Sequence, residues 1–153
     1  MNLYAVRQNL VSNPLENISS EVFRQLDSLN IDIPQGEVAI TAGSRGISNI
    51  VAITRAAGDW VKTKGATPFI IPAMGSHNGA TAKGQRAMIE SLGITESAMG
   101  MEIRASMDCV KIGEVDTGNV FMDRHAYESQ GVIVLNRIKL HTCFPGLIQS
   151  GLI

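Results

Sequence analysis

Three short apolar runs set the architecture of this chain: Glu37-Val-Ala-Ile-Thr-Ala42, Thr67-Pro-Phe-Ile-Ile-Pro72 and Gly131-Val-Ile-Val-Leu135. Each is nearly free of polar alternation, which is the pattern of strands buried on both faces in a parallel sheet. Each is followed by small and polar residues. After the first, Gly43-Ser-Arg-Gly46 breaks the run, and Ile47, Ile50, Val51, Ile53, Ala57, Trp60 and Val61 recur at helical spacing. Lys64-Gly65 ends that helix with a basic last turn and a glycine stop. The second run completes a βαβ unit, whose crossover is expected to be right-handed.

The pattern then repeats. Ala73 to Ala80 is a loop of small residues, Thr81 is placed to cap a helix running to about Leu92, and Gly93 closes it. From Met101 to Met122 the character changes. Met107–Ile112 and Asn119–Phe121, on either side of Asp116-Thr-Gly118, suggest a β-hairpin, followed by a helix over Asp123–Ser129 and a returning strand over Val132–Leu135. The fold class expected is α/β: a Rossmann-like, mostly parallel sheet with flanking helices and a small β-hairpin insertion. Residues 1–35 read as an appendage, with a short helix capped at Ser19 or Ser20 and reaching Leu29. Residues 36–153 read as the α/β domain, expected to be incomplete at its C-terminal end. An uncovered edge there would self-associate through Leu147, Ile148, Leu152 and Ile153.

With 153 residues and 44% hydrophobic content, the chain can bury a real core. A net charge of −1 offers no basic footprint for nucleic acid or an anionic membrane surface. No apolar run approaches the ~18 residues of a membrane span. The N-terminus lacks the basic-then-apolar order of a signal peptide, and Cys109 and Cys143 lack metal-type spacing. Both cysteines are expected to be reduced, in a cytoplasmic protein.

Chemistry is expected where the strands end, because open α/β sheets bind ligands beyond the carboxyl ends of their strands. The three loops there carry Arg45, His77 and His141. Arg45, flanked by Ser44 and Gly46, offers a planar fork for a carboxylate or phosphate; a helix-start arginine paired with a surface carboxylate is the other reading. Gly43, Gly46, Gly75 and Gly79 suit turns that a ligand approaches closely. His77, in Gly75-Ser76-His-Asn-Gly79, is a candidate general base or else a surface loop histidine. His141 follows Lys139 and Arg137, whose charges would favour its neutral ring; those two cations also fit a solvated face. Cys143 fits a core thiol better than a nucleophile, and His125 lies in a polar stretch expected to be exposed. His77 and His141 are too few for a metal site, so none is expected from these residues. Gly43-Ser-Arg-Gly46 has neither the lysine of a phosphate-binding P-loop nor the three-glycine spacing of a dinucleotide fingerprint.

Gly43-Ser-Arg-Gly-Ile47, Pro72-Ala-Met-Gly-Ser-His-Asn-Gly-Ala-Thr81 and Asn136-Arg-Ile-Lys-Leu-His-Thr142, in that order, resemble the N-terminal domain of the lactate racemase-like family, over roughly residues 36–153. The closest likeness is to a branch whose last motif carries a proline where Leu140 stands here. The resemblance implies a racemase or epimerase of a 2-hydroxy acid, working by hydride transfer with a nickel-pincer nucleotide. His77 and His141 match its paired acid–base histidines, and Arg45 its active-site arginine. Ser44, Gly46, Gly75, Ser76 and Lys139 join them as substrate- or cofactor-binding candidates. The acidic residue that precedes the arginine in that family has no counterpart, which points away from lactate itself. The lysine that tethers the cofactor and the histidine that ligates its metal are not in this chain, so the stretch alone is expected to be inactive. The alternative is a non-catalytic module that binds a nucleotide or organic anion.

Overall fold

In a computed structural model of the chain, residues 4–9 and 12–137 are described. Helix α1 (Ile18–Ser28) is followed by strand β1 (Glu37–Ala42), helix α2 (Ile50–Thr63) and strand β2 (Thr67–Pro72). Helix α3 (Ala82–Ser91), the single turn α4 (Glu96–Met99) and the two-residue strand β3 (Glu102–Ile103) come next. A hairpin of β4 (Cys109–Val115) and β5 (Gly118–Asp123), the short helix α5 (Arg124–Glu128) and strand β6 (Gly131–Ile133) complete the described chain. The α/β expectation holds: four parallel strands stand in the order β3-β2-β1-β6, with the antiparallel hairpin as a separate two-stranded sheet.

Burial follows the strand pleat. From β1, Val38, Ile40 and Ala42 face the α2 side, where Ile40 and Ala42 meet Ile50, Ala57, Ile70 and Ile89, and Val38 meets Trp60 and Val61. Ala39, Phe69 and Ile71 face the other side, against Ala126 of α5 with Met122 and Val132 beside them. Each fully buried isoleucine or phenylalanine contributes roughly 1.5–3 kcal/mol relative to exposure. Helix α1 adds Val22, Phe23 and Leu26 to the α2-side cores. It is fastened there by Asp27, whose carboxylate accepts from the Trp60 indole at 2.9 Å and from Lys64 at 2.8 Å.

Several boundaries differ from the sequence reading for local reasons. Helix α1 is capped by Asn17, whose side chain accepts from the Ser20 amide at 2.9 Å, which makes both serines helical. The hairpin is longer than expected because a bulge between Lys111 and Gly113 takes up the mismatch between its strands. Strand β3 has no sequence signature: two residues cannot display a period, and only pairing with Phe69 and Ile70 defines it.

On the α5 side, Arg104 follows β3 and reaches over Phe69, its guanidinium 4.1 Å from the ring centre, to Glu37 at the start of β1. Its hydrogen bonds hold the Glu37 carboxyl below the usual glutamate range. A lowered folded-state value means that this contribution to stability is present above the ordinary glutamate pKa of about 4.3 and is lost as pH falls through the folded value. Glu37→Gln is therefore expected to flatten the acid limb of stability, read from urea unfolding between about pH 3 and pH 7. The effect stays modest because the carboxyl is half exposed. An acid limb unchanged by the substitution would contradict this assignment.

Candidate functional site

The chain leaves β1 for β2 and β3 on one side and returns to β6 on the other. The reversal of strand order lies between β1 and β6, and a crevice opens there at their carboxyl ends. One lip is Gly43-Ser44-Arg45, just past β1; the other is Leu135-Asn136-Arg137, just past β6. Ile47, Ile50, Ala73 and Met74 form its apolar walls, and the described residues enclose about 170 Å³. That is small beside the ~300–1,000 Å³ of pockets for drug-sized ligands, so the described walls suit a compound of a few carbons.

Thr41 holds the lips in register. Its hydroxyl accepts from the Leu135 amide at 3.0 Å and lies 3.5 Å from the Leu135 carbonyl oxygen, so it acts as a side-chain rung beyond the end of the β6 ladder. Arg137 then reaches back across the opening and donates from Nη1 to the Gly46 carbonyl at 3.2 Å. Among the described residues Arg45 has no carboxylate within 4.0 Å, so it pairs with no aspartate or glutamate of the chain.

His77 enters the crevice from the loop after β2. Its Nδ1 is hydrogen-bonded to the Ser44 hydroxyl, and Nε2 has no partner among the described residues. If Nδ1–H donates to Ser44, the lone pair on Nε2 faces open space and can accept a proton. The loop is tightly fastened. Gln85, buried in α3, donates to the Gly75 carbonyl at 2.5 Å, and Asn78 donates to the Gly84 carbonyl at 2.6 Å. Asn78, Gly79 and Ala80 have φ of 51°, 81° and 51°, three left-handed residues in succession. Gly84 permits this close approach, since a Cβ there would overlap the Asn78 carbonyl oxygen. Thr81 caps α3 as expected, accepting from the Gly84 amide at 3.0 Å.

The expected site residues therefore divide. Ser44, Arg45 and His77 line the crevice. Gly46 lies at its lip through its carbonyl, while Gly75 and Ser76 do not line it and Gly75 serves as the anchor for Gln85. Gly43 and Gly46 do not use a left-handed backbone. His141, Lys139 and Cys143, with the apolar residues expected to self-associate, lie outside the described residues. Thr41, Asn136 and Arg137 were not singled out for a site, though Arg137 lies two residues past the last apolar run. His125, expected to be exposed, is half-buried beside Arg104 in a separate polar trough with Lys83 and Arg86.

Among the described residues no three His, Cys, Asp or Glu side chains converge as metal ligands. Among them, too, no helix is long and apolar enough to cross a membrane. No protein-family model, curated protein or solved structure matches the chain.

The fastening of the His77 loop can be tested against a control. Gly84→Ala is expected to lower the unfolding free energy by about 1–3 kcal/mol and to shift the His77 ring resonances. Gly46→Ala, where a Cβ meets nothing within 4 Å, is expected to destabilise nothing. Equal effects of the two substitutions, measured by denaturation and NMR, would contradict the close approach at Gly84.

Proposed function

We propose that the crevice binds a small 2-hydroxy acid and forms the first acid–base half of a lactate racemase-like racemase or epimerase in the cytoplasm. The observation that carries this reading is the meeting of His77, Ser44 and Arg45 in one small cleft at the reversal of strand order. The substrate carboxylate would be held by Arg45, whose fork accepts a planar anion in two parallel bonds. The 2-hydroxyl would sit against His77 Nε2. Ser44 fixes the ring and, by accepting from Nδ1–H, keeps Nε2 as the proton acceptor. With the cofactor that the resemblance implies supplying the hydride acceptor, loss of hydride from the carbinol carbon would release the hydroxyl proton, and His77 as a base at hydrogen-bond distance would accelerate that step by ~10²–10⁴-fold. Inverting the centre needs a second base on the opposite face, the role the resemblance gives to His141.

Binding separates this reading from a passive anion module. A site that hydrogen-bonds the 2-hydroxyl prefers lactate over propionate, and malate over succinate, by about tenfold or more. His77→Phe is expected to erase that preference while leaving carboxylate binding in place. Calorimetric titration of the four acids against the wild-type chain and the variant makes the comparison. Equal affinity for hydroxylated and unhydroxylated partners would replace the acid–base reading with non-catalytic anion binding.

A further inference from the structure

We infer that the crevice is selective for a small organic dianion, a dicarboxylic acid, with one carboxylate held by Arg45 and the other by Arg137. The inference rests on reading this crevice as the substrate site and adds the charge of the ligand. Its basis is a mismatch between this crevice and the rest of the surface. Every aspartate and glutamate of the chain lies among the described residues, so each side-chain carboxylate that a described lysine or arginine could meet has a place in the structure. From Arg24 in α1 to Arg124 in α5, most lysines and arginines stand within 4.0 Å of a carboxylate. Among the described cations Arg7, Arg45, Lys83 and Arg137 do not, and two of these four line the same cleft.

Arg137 is also held in place. Its bond to the Gly46 carbonyl sets its guanidinium beside the loop that carries Arg45, while Thr41 anchors the backbone two residues before it. One N–H is used in that bond, and most of the fork remains free for a ligand. Among the described residues no carboxylate lines the crevice, and the other polar side chains there are Ser44, His77 and Asn136. A monoanion would neutralise one guanidinium and leave its neighbour uncompensated in a partly apolar cleft, whereas a dianion neutralises both. The two arginines come from different strands, Arg45 after β1 and Arg137 after β6, which favours two separate charged groups over one. A cleft of about 170 Å³ accommodates a short dicarboxylate.

The test uses the whole 153-residue chain at low ionic strength, titrated calorimetrically with malate, succinate, lactate, propionate and inorganic phosphate. Malate and succinate are expected to bind at least about tenfold tighter than lactate and propionate, respectively. Arg137→Gln is expected to bring each pair to within about threefold, and Lys83→Gln, which removes an unpaired cation elsewhere, to leave the preference intact. Thermal melts of both variants that match the parent exclude loss of fold as the cause. The inference is overturned if mono- and dicarboxylates bind alike, if the preference survives Arg137→Gln, or if Lys83→Gln removes it equally. Phosphate binding more tightly than succinate would overturn the assignment of two carboxylates. The charge preference depends on Arg137 and the hydroxyl preference on His77, so either can fail while the other stands.

Discussion

Strand β1 is paired along both edges by strands that the chain reaches in opposite senses, and everything at the site depends on that pairing. Had the chain added β6 beyond β3, the loops after β1 and β6 would stand on opposite sides of the sheet. Because β6 returns beside β1, the connections diverge at the carboxyl ends and leave a gap that no crossover among the described residues fills. Thr41 makes the gap usable. The β6 ladder ends at Ile133, yet the Thr41 hydroxyl still bonds the Leu135 backbone, so Asn136 and Arg137 leave the sheet from a fixed point. The crevice is thus a consequence of topology, trimmed by one side chain.

The second contributor is a strained loop. Successive left-handed residues are uncommon in L-amino-acid chains, and each costs roughly 1–2 kcal/mol unless it is glycine or asparagine. Ala80 has no such exemption. The conformation persists because two side-chain amides tie the loop and α3 together reciprocally, Gln85 to the Gly75 carbonyl and Asn78 to the Gly84 carbonyl. Hydrogen bonds of this kind contribute about 0.5–1.5 kcal/mol each, comparable with the strain they offset. The outcome is a histidine whose Nδ1 meets Ser44 across the sheet edge from another loop. Strain of this sort, held by buried polar contacts, is commonly found where a side chain must be aimed.

Much of the frame was legible in the sequence, and the reasons are particular. Strands β1 and β2 were marked by uninterrupted apolar runs, α2 by helical spacing with Gly65 behind it, and α3 by the Thr81 cap with Gly93 behind it, so their positions follow from burial, capping and backbone freedom. The loops that meet at the crevice were legible because they follow those strands. Strand β3 was not, since its two residues gain their conformation from pairing with β2. Arg137 could not be told from a surface cation by sequence, because what distinguishes it is the Gly46 carbonyl, distant in the chain. His125 was misjudged for a similar reason: its polar neighbours in sequence say nothing of Arg104 and Lys83, which share its trough in space.

The central claim is that the ligand site lies at the β1–β6 reversal rather than in the larger trough lined by Lys83, Arg86, Arg104 and His125. Mapping amide and ring resonances of the isotope-labelled chain during titration with succinate tests it directly. The account predicts saturable shifts concentrated at Gly43–Ile47, Met74–His77 and Leu135–Arg137, with the trough unaffected. Shifts centred on Lys83, Arg104 and His125, or spread evenly over surface cations, would contradict it.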